Sequence, residues 1–171
     1  MGKPKGNTPR YYLDACVLID LIEHPVEAEP ARTIAAMLDE ADKGRVRLVT
    51  STITVVEVWN AKREVDRNEI AADVEEVISR LWHPDGPIEL ITVSELIAKE
   101  ALGMLRSCIE RGWSKTQGND AVHLITAKRE NVDEFLTTER AMNKWGDMLG
   151  FKVCAPHFES LDQGHPKLFE N

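Results

Sequence analysis

The feature that most constrains this chain is a repeated alternation of short apolar segments with longer amphipathic ones. Tyr11 to Leu13 reads as a short buried strand and Ala15 to Glu23 as the helix behind it. Pro25 to Pro30 is a linker with two helix breakers, and Ala31 to Lys43 is an alanine-rich amphipathic helix stopped by Gly44. Val46 to Val49 has a period of two, Thr54 to Val65 returns to helical spacing, and an acidic helix runs from about Glu69 to Trp82. A turn cluster, His83-Pro84-Asp85-Gly86-Pro87, closes the first half. The second half repeats the scheme: strand Ile88 to Ile91, helix Ser94 to Arg111, helix Asp120 to Arg129, strand Glu134 to Leu136, helix Glu139 to Met148 and strand Phe151 to Cys154. Strands separated by helices imply βαβ units, because a parallel neighbour needs a long crossover. The expected fold class is α/β: a three-layer α/β/α sandwich whose central sheet is mostly parallel and covered on both faces.

At 171 residues the chain fits one domain, able to bury roughly 70% of the surface its unfolded form would expose. The expected organisation is a flexible N-terminus over 1–9, one domain over 10–155 and a poorly ordered tail over 156–171. A hydrophobic share of 43% against 29% charged residues argues for an ordered globular protein. The net charge of -8 repels polyanions, so any nucleic-acid contact has to be local and charge-compensated. Cys16, Cys108 and Cys154 are odd in number and never form C-x-x-C, which disfavours a disulfide framework or a zinc knuckle and suits a reducing cytoplasm. No signal peptide or membrane span is expected, since no apolar run approaches about 18 residues.

In an open parallel sheet, ligands bind beyond the carboxyl ends of the strands. In this chain that rule picks out acids. Asp14 follows Tyr11-Tyr12-Leu13, Glu57 lies early in the helix after Val46 to Val49, and Glu139 follows Phe135-Leu136-Thr137-Thr138. Asp120 opens an unusually apolar helix, Asp120-Ala-Val-His-Leu-Ile-Thr-Ala127, so its carboxylate is expected to be poorly solvated. Each acid has an ordinary structural explanation: Asp14 as an N-cap, Thr54-Val-Val-Glu57 as a capping box, Asn119-Asp120 as a cap with a first-turn acid, and Glu139 as a dipole complement. Convergence argues otherwise. Four like charges in one cleft are costly unless some protonate or a cation binds, and hard divalent ions suit carboxylate and water ligands.

At Leu13-Asp14-Ala-Cys-Val-Leu-Ile-Asp20, Thr54-Val-Val-Glu57-Val-Trp59, Asn119-Asp120-Ala-Val-His-Leu-Ile-Thr-Ala127 and Phe135-Leu-Thr-Thr-Glu-Arg140, the chain resembles the PIN-domain nucleases, particularly the VapC-type toxins. The resemblance runs from about residue 10 to 155 and implies a PIN-like fold. It further implies a ribonuclease dependent on one or two Mg²⁺ or Mn²⁺ ions, with Asp14, Glu57 and Asp120 at metal-binding positions. Glu139 stands where the family more often has Asp, a side chain one methylene longer that can reach a metal through water. Ala15 and Cys16 fill positions where the family often places a hydroxyl or amide, leaving Thr137 or Thr138 to supply that contact. The implied chemistry is in-line attack of an activated water on an RNA phosphodiester, leaving a 5′-phosphate and a 3′-hydroxyl. Implied partners are RNA, a small antitoxin and a second copy in a homodimer; the implied setting is cytoplasmic.

Other residues are open to two readings. His123, three after Asp120, offers a D-x-x-H pair, though a hydrogen-bonded core histidine is the better explanation, and the five scattered histidines show no zinc spacing. Arg140, Lys144 and, more weakly, Lys115 are candidate contacts to the RNA backbone, balanced against a solvated face. Trp59, Trp82, Trp113 and Trp145 suit a core or an interface better than a base-stacking platform. Two competing functions stand beside the nuclease. One is a weak or inactive PIN-like RNA-binding module. The other is a phosphoryl-accepting α/β domain, which needs a lysine at a strand end that this chain does not offer.

Overall fold

The computed structural model describes residues 8–25, 27–60, 71–112 and 117–157. Five strands form one parallel sheet in the order β3-β2-β1-β4-β5. They are β1 (Arg10–Leu13), β2 (Arg47–Ser51), β3 (Ile88–Ile91), β4 (Glu134–Leu136) and β5 (Lys152–Cys154). The register sets Tyr12 beside Val49 and Phe135, and Phe135 beside Val153. Among the described residues the helices are α1 (Ala15–Glu23), α2 (Ala31–Asp42), α3 (Thr54–Glu57), α4 (Ala72–Leu81), α5 (Glu95–Glu110), α6 (Gly118–Arg129) and α7 (Gly146–Leu149).

Side chains alternate across the sheet, and so do its two cores. On one face Tyr12, Val49, Phe135 and Val153 meet α5 and α6 through Ile97, Ala101, Met104, Leu124 and Ile125. On the other, Leu13, Leu48, Ile88 and Leu136 meet α1, α2 and α4 through Leu18, Ile22, Ile34, Met37, Val74 and Leu81. This is the expected three-layer α/β/α sandwich. None of the helices is long and apolar enough to cross a membrane among the described residues.

Several boundaries move, each for a physical reason. β2 runs on through Thr50 and Ser51, which are fully buried although polar. Burial is tolerated because the Thr50 hydroxyl donates to Leu13 O at 2.7 Å and contacts Thr54 Oγ1 at 2.7 Å. The helix expected from Thr54 is an α-turn, Thr54–Glu57, tightening into a 3₁₀ turn, Val58–Asn60; the rest of that expected helix, 61–70, lies outside the described residues. Its capping box is absent: Ile53 holds the cap position, and Thr54 turns inward to Thr50. The helix expected over Glu139 to Met148 is a 3₁₀ helix, Arg140–Trp145, followed by α7. Three residues per turn bring Met142 and Trp145 onto one buried side. α6 starts two residues earlier than expected, with Gln117 rather than Asn119 as its cap. The expected flexible N-terminus and tail fall mostly on residues 1–7 and 158–171, outside the described residues, as do Lys115 and Trp113.

Candidate functional site

The carboxyl ends of β1, β2 and β4 open toward the starts of α1, α3 and α6. Asp14 is the residue between β1 and α1, held where it is because its own N–H donates to Leu136 O on the neighbouring strand at 3.0 Å. It caps α1, its Oδ1 accepting from Ala15 N at 2.8 Å. The structural explanation of this acid is therefore correct, yet it accounts for only one oxygen. Oδ2 accepts from Thr137 Oγ1 at 2.7 Å and from Cys16 Sγ at 3.1 Å. The hydroxyl that Ala15 and Cys16 cannot offer thus comes from Thr137, at the end of β4. With 7% of its surface exposed, Asp14 is a nearly buried carboxylate reached by three donors. Burial and the Asp14 charge push the Cys16 thiol up to about 11, so it stays protonated and donates.

Glu57 is anchored from α6. Its Oε2 lies 2.5 Å from His123 Nε2 and its Oε1 accepts from Asn119 Nδ2 at 2.8 Å. His123 is buried, and its other nitrogen, Nδ1, lies 2.7 Å from Tyr12 Oη and 3.2 Å from Ser51 Oγ. Tyr12 Oη itself accepts from Ser51 N at 3.0 Å. Burial, the largest influence, raises the Tyr12 phenol well above its ordinary value, so its single proton stays on oxygen and is free to point at His123 Nδ1. That leaves Nε2 as the protonated nitrogen, donating to Glu57. His123 is therefore a hydrogen-bonded core histidine that orients an acid. Burial pushes the Glu57 carboxyl up, but the hydrogen bonds from His123 and Asn119 more than offset it, and the net result is a lowered value.

Asp120 sits in the first turn of α6, where its Oδ2 accepts from Gln117 N at 3.1 Å. Burial raises its carboxyl first, and the charges of Asp14 and Glu57 raise it further against the opposing Gln117 N–H and His123. Glu139 is exposed at the foot of the 3₁₀ helix; burial, then the charges of Asp120 and Asp14, raise its carboxyl, while Lys144 lowers it. Asp120 therefore feels the charges of Asp14 and Glu57, and Glu139 those of Asp120 and Asp14. They do not form a tight cage: among the described residues, the one trio of metal-ligating types with all ligand atoms within 4.8 Å is Glu134, Cys154 and His157, elsewhere on the sheet. A donor set of spaced carboxylates fits a hydrated hard cation, bridged in part by water.

Among the candidate RNA contacts, Arg140 and Lys144 are exposed, with the Lys144 ammonium 5.2 Å above the Trp145 ring. Trp145 is fully buried and Trp59 is 62% exposed. Tyr12 and Ser51 carry no signal of a role in the sequence, a tyrosine in a buried strand and a serine at its neighbour's end having no spacing of their own, and Asn119 reads there as a helix cap rather than as a partner of Glu57.

A parallel sheet with acids past several strand ends and an orienting histidine behind one of them defines an α/β domain with an acidic cleft at its carboxyl edge. The pattern of the PIN domain matches residues 11–146, a stretch that takes in all four acids, and the chain belongs to the PIN-domain family. PIN domains are generally nucleases that use divalent metal ions. No curated protein matches the chain closely enough to add a relative. Among solved structures, a toxin–antitoxin complex from Klebsiella pneumoniae is similar, with a TM-score of 0.51 and 18% identity over 86% of this chain and 98% of that one. FitAB bound to an IR36 DNA fragment is also similar, with a TM-score of 0.54 and 20% identity over 89% of this chain and 99% of that one. At such identities the likeness is one of fold.

Proposed function

We propose that this chain is a Mg²⁺- or Mn²⁺-dependent endoribonuclease, the toxin of a toxin–antitoxin pair. The observation that carries the reading is the coupling of Asp14, Asp120 and Glu139: three carboxylates from separate segments, with Asp120 and Glu139 both raised by burial and by the charge of Asp14. Such a cleft is stabilised by a cation. Asp14 and Asp120 would hold it, with Glu57 and Glu139 completing the shell through water or directly. When bound, the metal lowers the pKa of a water molecule and neutralises phosphate charge. The chain's own part is positional. Thr137 and the start of α1 fix Asp14, His123 and Asn119 fix Glu57, and Arg140 and Lys144 contact the RNA backbone.

A protein partner is supported by the apolar surface beside Glu57, where Val55, Val56 and Trp59 are 39%, 72% and 62% exposed. The two similar structures carry toxin–antitoxin and FitAB assemblies in their descriptions, which favours an antitoxin at this edge. A homodimer is part of the same reading, as is a cytoplasmic location. A weaker enzyme, or an RNA-binding module, is favoured by one observation: no three of the four carboxylates approach within 4.8 Å of one another. Purified protein incubated with RNA separates these readings. Cleavage with Mg²⁺ or Mn²⁺, abolished by EDTA and by Asp14→Asn, supports the nuclease; RNA retention without cleavage by either metal supports the binding module, and full cleavage in EDTA overturns both.

A further inference from the structure

Away from the acidic cleft, the β5 edge of the sheet gathers a second set of metal-ligating side chains. Glu134 opens β4 and Lys152 opens β5; the register pairs these two, and pairs Leu136 with Cys154. Alternation then places Glu134, Lys152 and Cys154 on one face of the two edge strands. His157, three residues past Cys154, folds back over them. Its Nε2 lies 2.6 Å from Glu134 Oε2, Cys154 Sγ lies 3.4 Å from the same oxygen, and the ligand atoms of all three lie within 4.8 Å of one another.

The hydrogen-bond accounts of this cluster conflict. The Lys152 ammonium, a donor only, lies 3.1 Å from Glu134 Oε1 and 3.2 Å from His157 Nε2. A single ring nitrogen therefore faces a carboxylate, which only accepts, and an ammonium, which only donates. If Nε2 carries the proton it opposes Lys152; if it does not, its lone pair opposes Glu134. A cation at the centre removes the conflict, because an imidazole lone pair, a carboxylate oxygen and a sulfur then all point at positive charge. Nitrogen, sulfur and oxygen donors together are the set for zinc, not for magnesium. Zinc bond lengths in a tetrahedron separate neighbouring ligand atoms by about 3.3–3.7 Å. The sulfur–oxygen distance of 3.4 Å already falls there, and the nitrogen–oxygen distance of 2.6 Å needs to open by less than about 1 Å, a rotation an exposed histidine can make.

We propose that Glu134, Cys154 and His157 form a zinc site on the β5 edge, with water in the fourth position. On binding, the Cys154 sulfur gives its proton to solvent and bonds to the metal, and Lys152 swings out on its flexible stem. The site clamps the chain beyond β5, through His157, onto β4. It uses none of the four carboxylates of the proposed nuclease, so it stands or falls independently of that reading.

Titration of the protein with Zn²⁺, in excess Mg²⁺ to occupy the carboxylate cleft, should show one zinc per chain. Substitution by Co²⁺ should add the near-ultraviolet absorption of a thiolate–cobalt bond. Cys154→Ser should abolish that absorption and weaken zinc binding by about tenfold or more, while Cys16→Ser and Asp120→Asn should preserve both. Lys152→Ala, which removes the competing ammonium, should tighten binding. If Cys154→Ser proves unfolded by circular dichroism, His157→Ala, at an exposed position, carries the same expectation of weaker binding. No zinc binding by the wild-type protein overturns the proposal, as does absorption that survives Cys154→Ser in a folded protein or vanishes only in Cys16→Ser or Asp120→Asn.

Discussion

At Asp120 one side chain carries both a cost to the fold and the charge that the proposed chemistry needs. Burial and the Asp14 charge hold its carboxyl above the ordinary 3.8, so the folded chain binds that proton more tightly than the unfolded chain does. The stabilisation is fully present below the ordinary value and is lost as pH rises through the raised one. Glu139 acts in the same direction; Glu57, lowered from 4.5, acts oppositely, losing stability as pH falls. In metal-free buffer, Asp120→Asn should therefore flatten the loss of stability from about pH 4 upward and leave the neutral-pH protein as stable or more so. The gain is under about 1 kcal/mol after allowance for solvent screening of a half-buried group, read from urea midpoints against pH. The same substitution should lower RNA cleavage by about a hundredfold or more. His123→Leu tests the orienting network behind Glu57. It removes the acceptor of the Tyr12 hydroxyl proton and the donor to Glu57 Oε2, at about 1–3 kcal/mol per group, and should reduce cleavage about ten- to a hundredfold. A His123→Leu protein with unchanged cleavage would remove Glu57 from the proposed machinery.

At the scale of elements, the segment from Arg140 to Leu149 shows what local pattern can and cannot carry. Its periodicity implies a helix, and a helix forms, but as a 3₁₀ stretch joined to a short α-turn. The junction is Gly146, where a Cβ would stand 2.9 Å from Phe151 O. Only a glycine lets the turn approach the chain entering β5 so closely. Gly146→Ala should therefore destabilise the protein by about 1–3 kcal/mol, the usual cost of overpacking, and thermal unfolding would show it as a lowered Tm. β2 gives the complementary lesson. Thr50 and Ser51 look like loop residues by composition, and they are strand residues because Leu13 O, Thr54 and His123 satisfy them. Those partners lie as far as 72 positions away in the chain, beyond any local window.

For the whole molecule, the net charge of -8 means that RNA has to be held by a local basic surface against a repulsive background. If Arg140 and Lys144 are phosphate contacts, each alanine substitution should reduce the slope of log affinity against log salt by about 0.7, as expected for single-stranded RNA. Filter binding with Asp14→Asn protein, to prevent cleavage, would measure it; an unchanged slope removes both residues from the interface. Trp59, exposed beside the cleft, belongs to partner binding in this reading, so Trp59→Ala should weaken antitoxin association and leave RNA affinity unchanged.

The sequence by itself determined the α/β class, the parallel sheet and the order of the acids, because alternation and strand-end position are properties of neighbours along the chain. It also carried the family, whose motifs span residues 11–146. Tertiary structure alone decided what each acid touches. Asp14 is served by Thr137 across 123 positions and Glu57 by His123 across 66, pairings made by strand order and by the docking of α6. The same holds for Glu134, which the register of β4 and β5 brings to Cys154 from 20 positions away, with His157 folding back over both. Hydrogen bonds and metal ligation depend on distances of about 3 Å in space, and a chain's order in sequence does not contain those distances until the sheet is assembled.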